Sequence, residues 1–336
     1  MMSRLLKTLK GIDKEYTPVW FMRQAGRYLP EFRSLRSKNP DFMKLCLNSD
    51  LAQEITLQPI KRFNLDAAII FSDILVIPHA LNQKVMFGQL NGPFIKDFNI
   101  NKFIGTKKED FIFKLNPVYE AIKKTKKKLK KEVSLISFIG APWTLIIYLL
   151  NLKKGGLLNK TKFNEKKEII NSIFKKLMEF LKIHILYQKE AGADILQIFD
   201  SWAGLIPRKS LKEYCYDPNK ELVDFCKEIK IPSICFPKGL QKNYIDFNRI
   251  VKPNAINIDQ DIDPEWAKKN LKKVIIQGGM SPKILLNEEN EVMKEVDKFL
   301  KIFKDSPYIF NLGHGILPNT NPEIINKIIE RVKIVK

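Results

Sequence analysis

Residues 18–31, PVWFMRQAGRYLPE, decide how the rest of the chain is read. The apolar run 18–22 has the composition of a buried strand, and it ends by releasing Arg23 and Arg27 around a small Ala25-Gly26 pair. Arginine carries a planar, permanently charged donor fork that matches carboxylate or phosphate, so a strand that stops at two of them suits an anion. A lone strand-end arginine is more often an ordinary surface residue, so the segment has to be judged by what surrounds it.

Seven more runs of the same kind follow, at 67–71, 133–139, 193–199, 231–236, 255–258, 273–276 and 308–312. They are short, rich in Ile, Val and Phe, and bounded by Gly, Pro or Asp, as parallel strands buried on both faces should be. Amphipathic segments lie between and after them: 50–63, 117–131, 164–190, 211–229, 243–251, 264–271, 289–303 and 322–332. In the third of these Ile169, Ile173, Leu177, Phe180, Leu181 and His184 recur at helical spacing. Eight strand–helix alternations predict an α/β chain folded as a (β/α)8 TIM barrel, one domain over residues 1–336. Most of the excess over the roughly 250 residues usual for that fold lies between the second and third strands. There 85–87 and 93–95, around a turn containing Gly88 and Gly92, read as an inserted hairpin.

Composition narrows the classes. No apolar run approaches the roughly 20 residues that span a bilayer, so no membrane segment is expected. The N-terminus has no apolar signal region, and Asp13 and Glu15 argue against a transit peptide. Cys46, Cys215, Cys226 and Cys235 form no CxxC pair, which reads as free thiols in a reducing cytoplasm. A net charge of +21 suggests nucleic acid, but only nine of the 58 basic residues are Arg. The excess is lysine on helix-like stretches such as 123–131, with few aromatics between, so no nucleic-acid partner is expected. Four of the nine arginines, Arg23, Arg27, Arg33 and Arg36, fall in one short span that this lysine drift does not explain.

In a barrel of this kind functional groups sit at the C-terminal ends of the strands. Just past the runs come Arg23 and Arg27, Asp73, Tyr148, Asp200 and Ser201, Lys238, Asp259 and Gln260, Gln277, and His314. Every strand would then deliver a hydrogen-bonding group to one rim. Asp73 fits either a helix N-cap or an acceptor-only carboxylate at the barrel mouth. His314, in Gly313-His314-Gly315, is either a satisfied structural histidine or an imidazole that flanking glycines bring close to a ligand by a sharp turn. Tyr148 is either core or ligand-facing, and Ser201 either a turn residue or a contact. His79, in a loop, and His184, on a helix face, read as structural, and no His or Cys lies at metal spacing, so no metal is expected. GxSxG, GxGxxG and GxxxxGK[ST] are all absent, which removes serine nucleophile chemistry and nucleotide binding.

PVWFMRQAGRYLPE, IIFSDILVIPHALN, GAPWTLIIYLL, QIFDSWAG and NLGHGILPNTNPE, in this order, closely resemble the uroporphyrinogen decarboxylase family along essentially the whole chain. The resemblance implies a homodimer without cofactor or metal. It implies release of four CO2 from uroporphyrinogen III to give coproporphyrinogen III, in haem and tetrapyrrole biosynthesis. It implies substrate contacts from Arg23, Gln24, Ala25, Gly26, Arg27, Asp73, Tyr148, Ser201 and His314, with Arg23 and Arg27 as carboxylate clamps and Asp73 as the stabiliser of the transition state. The chain departs from the family's pattern in the loop after Tyr148, where the Gly155-Gly156 pair comes late, and in IIQGGMSP around Gln277. The rival reading is a zinc-dependent methyltransferase of the same barrel, which needs a His-x-Cys pair and a later Cys. Position 233 is Ser, and no Cys follows Cys235.

Overall fold

A computed structural model of the chain describes residues 2–12, 16–88 and 92–334. Among these residues eleven strands appear in chain order: β1 (Ala67–Ile69), β2 (Lys84–Gly88), β3 (Gly92–Lys96), β4 (Ser134–Gly140), β5 (Lys153–Lys154), β6 (Leu157–Leu158), β7 (Ile195–Asp200), β8 (Ser233–Pro237), β9 (Ala255–Ile258), β10 (Ile275–Gly278) and β11 (Tyr308–Ile309). β1, β4, β7, β8, β9, β10 and β11 form one sheet in that order, parallel throughout.

The eighth stave is the segment read first. Val19 makes a single parallel bridge to Phe310, with Phe310 N–H donating to Pro18 O and Trp20 N–H to Phe310 O. On the other edge Asp66 N–H donates to Val19 O. Val19 N–H finds no backbone acceptor there and donates instead to the Asp66 carboxylate, at 2.9 Å. The expected strand 18–22 is therefore one bridge long, and side chains complete the seam that closes the barrel.

Period-two alternation sorts the strand residues into two cores. Trp20, Met22, Ala67, Ile69, Ile136, Ile195, Ile234, Phe236, Ala255 and Ile309 pack together with Leu5 and Leu9 of the N-terminal helix Arg4–Leu9. This is the barrel interior, stoppered from below, where Ser3 meets Ser134. Halfway up lies a polar layer. Gln277 accepts from Trp20 Nε1–H and donates to Asn257 Oδ1 and Gln197 Oε1, all four side chains fully buried. The outward-facing strand residues pack under the helices as the larger core.

The helices depart from the expected segments in instructive ways. The segment expected to begin at Pro117 belongs to a helix, Lys108–Lys128, that runs through the proline. Phe111, Leu115, Val118, Tyr119 and Ile122 keep one continuous buried face across it, and that packing offsets the one missing N–H. The segment 211–229 starts as a π-turn, Lys212–Tyr216, before the regular helix Asp217–Glu228. His79 lies in the short helix Val76–Ala80, not a loop. His184 is buried on its helix and meets Tyr119 Oη at 3.0 Å, as a structural histidine should.

The inserted hairpin is present as β2 and β3, paired antiparallel from Lys84↔Lys96 to Gly88↔Gly92. Its turn residues, 89–91, lie outside the described residues, as do Asp13 and Glu15. In the loop after Tyr148, β5 and β6 pair antiparallel across Gly155 and Gly156, whose φ angles are 56° and 83°. Two successive positive φ values are what a two-residue hairpin turn demands, so the displaced glycine pair has a backbone reason. Among the described residues no helix is long and apolar enough to cross a membrane.

Candidate active site

A cavity of about 710 Å³ opens above the C-terminal ends of the strands. Its floor is the top layer of the barrel interior: Met22, Ile69, Phe138, Phe199 and Phe236. One wall is aromatic. Phe42 packs 5.8 Å from Phe71 and 4.8 Å from Phe87, ring centre to ring centre, and Phe32 packs 5.8 Å from Phe71. Phe87, Gly88 and Pro93 come from the inserted hairpin, so the insertion is part of the site. Arg23, Arg27, Asp73, Tyr148, Ser201 and His314 supply the polar lining, with Ala25 and Gly26 beside them.

Arg23 and Arg27 are both open to the cavity. Arg23 adopts a left-handed backbone, φ 62°, unusual for a residue with a side chain. The protein packed around it lowers its basicity, the Arg27 charge lowers it further, and the Asp73 and Tyr148 groups pull the other way. Arg33 does not reach the cavity; its Nη1 donates to the carbonyls of Arg27 and Tyr28 and so fixes the turn that carries Arg27.

The Gln24 side chain lies apart from the other expected contacts. It is fully buried, accepts from Phe21 N–H and donates to Ala67 O, so it ties the seam together and contacts no ligand space. Gln24→Leu is expected to leave those two buried groups unpaired, at about 1–3 kcal/mol each, with ligand affinity little changed. Urea unfolding alongside a binding titration checks this; weakened binding at unchanged stability would return Gln24 to the ligand.

Asp73 serves both readings. Its Oδ1 accepts from Leu75 N–H at 2.8 Å and its carbonyl from Val76 N–H, which caps the turn into Val76–Ala80. The carboxyl also faces the cavity. Burial pushes its pKa up to about 6, against the downward pull of the Leu75 N–H and the Arg23 charge. His314 moves the opposite way: burial, then the Lys238 and Arg23 charges, bring it down to about 4. At neutral pH it is a neutral imidazole that can both donate and accept.

Tyr148 extends from the helix Pro142–Leu149 and is half-buried, its ring 6.3 Å from that of Trp202, and burial raises its pKa. The turn bearing Ser201 is set from behind. Thr144 Oγ1 accepts from Trp202 N–H and donates to Asp200 Oδ1, and Asn219 donates to Asp200 Oδ2. Lys153 of β5 covers the Trp202 ring, its Nζ 3.8 Å from the centroid, which ties the loop after Tyr148 to this corner.

The expectation that every strand delivers a polar group to the rim does not hold. Asp200 faces away because its neighbour Phe199 faces in. Gln277 faces in but sits in the polar layer below the floor. Asp259 accepts from Gly239 N–H, Tyr244 Oη–H and Asp261 N–H, and neither it, Lys238 nor Gln260 lines the cavity. The site residues not foreseen are Arg36 and the aromatic wall. Arg36 lines the cavity with its guanidinium 5.6 Å from the Phe42 ring centre. The arginine cluster was the signal for it. Gly313 and Gly315 also work differently from expectation. Neither has a positive φ; Gly313 is small because the backbone of Asp259 and Gln260 lies against it, and Gly315 because the Arg23 side chain does.

Among the described residues no three His, Cys, Asp or Glu side chains gather as a metal site. The four cysteines are buried and free, and burial raises each thiol pKa.

Solved structures share this fold at low identity. A methyltransferase from Methanosarcina mazei superposes with a TM-score of 0.79 at 16% identity, over 99% of this chain and 98% of that one. A B12-independent methionine synthase from Shewanella sp. W3-18-1 gives 0.54 at 11% identity, over 84% and 85%. Sequence relatives are much nearer. Proteins named uroporphyrinogen decarboxylase from Rickettsia conorii and Rickettsia bellii are each 40% identical over 99% of this chain, covering 97% and 98% of their own lengths. The family model described as uroporphyrinogen decarboxylase (URO-D) matches residues 1–335. With the barrel, the cavity and this match running the length of the sequence, the chain belongs to the uroporphyrinogen decarboxylase family.

Proposed function

We propose that the protein decarboxylates the four acetate side chains of uroporphyrinogen III to methyl groups, giving coproporphyrinogen III and four CO2 for haem and tetrapyrrole synthesis. Beyond family membership, one observation carries the reading: among the described residues a single carboxylate, Asp73, faces a cavity that has an apolar floor and arginines at its side. A ring of pyrroles edged with carboxylates is the complement of that surface, with apolar faces, central N–H donors and an anionic rim.

Losing CO2 from an acetate leaves an electron pair that needs a sink. A pyrrole protonated on a ring carbon is such a sink, so the substrate supplies what a cofactor supplies elsewhere. The C–C pair flows into the ring as CO2 leaves, a proton adds to the exposed methylene to make the methyl, and loss of the ring proton restores the pyrrole. Asp73, ionised above about pH 6, offers four lone-pair sites to pyrrole N–H groups and a fixed negative charge beside the developing cation. Arg23 and Arg27 hold carboxylates, Tyr148 and neutral His314 orient acetate and propionate groups, and Ser201 gives a neutral hydrogen bond. Ala25 and Gly26 keep the backbone of the clamp close and small.

The proposal extends to a homodimer, a cytoplasmic setting and one working domain over residues 1–336, supported by the match along residues 1–335. Incubation with uroporphyrinogen in chelator-containing buffer, followed by counting product carboxyl groups, tests the activity; light scattering of the same sample reads the dimer. Four fewer carboxyls are expected. An unchanged octacarboxylate, or turnover that needs added metal, would sink the reading.

A further inference from the structure

The Arg23 side chain is shaped by a neighbour far away in sequence. A Cβ built on Gly315 would lie 2.3 Å from Arg23 Cδ, 2.6 Å from Cγ and 2.9 Å from Nε. These are mid-stem atoms, so the clash is relieved only by moving the whole guanidinium to another rotamer. Gly315 needs no glycine for its own backbone, since its φ is not positive. The surrounding chain is latched to the same place. Met22 N–H donates to Asn311 Oδ1 at 3.1 Å, and Ile316 N–H donates to Met22 O at 3.0 Å. Asn311 is fully buried. Both hydrogen bonds fall on Met22, so the residue just before Arg23, itself at a left-handed φ of 62°, is held to the segment after the last strand.

We propose that Gly315 is a positioning residue whose missing side chain is the slot for the Arg23 stem, so that the C-terminal segment aims the N-terminal arginine. Gly313, two residues earlier, makes the contrast. A Cβ there would meet Gln260 N at 2.3 Å, a backbone atom with nowhere to go. One glycine serves an arginine side chain, the other the packing of two loops.

The inference rests on the reading of Arg23 as a carboxylate clamp, and a double-mutant cycle separates the two. Gly315→Ala is expected to lower kcat/KM for uroporphyrinogen by up to roughly 10²-fold, the scale of a misplacement of about 1 Å, and to weaken coproporphyrinogen binding by no more than Arg23→Ala does. On top of Arg23→Ala, which removes every atom the new methyl would strike, Gly315→Ala should cost nothing further in either quantity. The same holds for thermal unfolding: should Gly315→Ala destabilise the fold, Arg23→Ala restores it. Gly313→Ala should lower the unfolding temperature in both backgrounds. An equal further loss from Gly315→Ala with and without Arg23 would overturn the assignment. Parent-like binding by Arg23→Ala alone would instead count against the clamp.

Discussion

Asp73→Asn is expected to fold as the parent does and to lose about 10²–10³ in turnover, equivalent to about 3–4 kcal/mol of transition-state stabilisation. The fold survives because Asn keeps an Oδ1 acceptor for the Leu75 N–H, the one hydrogen bond the carboxylate makes among the described residues. What is lost is the charge. The parent's carboxyl, raised from 3.8 to about 6, should give an acid limb near pH 6, with turnover falling below it. The sign on stability is opposite. Between those two values the folded state holds the proton more tightly than the unfolded chain, so the unliganded protein loses stability as pH rises through the window. Asn at this position carries no such cost, and the variant should unfold no earlier than the parent at neutral pH. Steady-state rates with a calorimetric scan check both halves. Near-parental turnover would remove Asp73 from the reaction, and a large drop in unfolding temperature would make it a structural residue.

Arg23→Ala and Arg27→Ala are each expected to weaken coproporphyrinogen binding roughly ten- to a hundredfold, since a hydrogen bond to a charged partner contributes about 1.5–3 kcal/mol. They should differ in their pH profiles. Arg23 is the charge that pulls the Asp73 pKa down, so its removal should move the acid limb to higher pH. Arg27 exerts no such pull on Asp73, and its loss should leave the limb in place. Product titrations at several pH values separate the two. Identical profiles for both variants would break the link between Arg23 and Asp73, and undiminished affinity in both would end the clamp reading.

The barrel was legible because its strands are buried on both faces and so appear as uninterrupted Ile, Val and Phe runs between amphipathic segments. Arg23, Arg27, Asp73, Tyr148, Ser201 and His314 were legible as polar residues just past those runs, and the cavity gathers all six. Parity was not legible. Whether Phe199 or Asp200 enters the cavity depends on a strand position known only to within a residue or two, and one step reverses it. That is why Asp200, Gln277 and Asp259, read as rim groups, are buried and satisfied elsewhere. The Gln24 side chain stands apart for a related reason. It stands inside a motif of ligand-facing residues, but the seam needed its amide, because the first stave has so few backbone bonds. The hairpin's part in the cavity was hidden because Phe87 meets Phe42, and Pro93 reaches the cavity, only through tertiary packing.

The closing seam also sets a timetable. Arg23 is made early, yet the groups that hold it are Phe310, Asn311, Gly315 and Ile316; Met22 and Asn311 are 289 residues apart. At about 5–20 residues per second of synthesis, the first stave waits roughly 15–60 s for its partner. Until then β1, β4 and β7 to β10 can assemble as an open parallel sheet with one bare edge at β1 and another at β10, the kind of edge that recruits foreign strands. A chain cut short before Phe310 would keep Asp73, Tyr148 and Ser201 but leave its arginines unaimed. The anion grip therefore comes last in the life of the nascent chain, although it is written first.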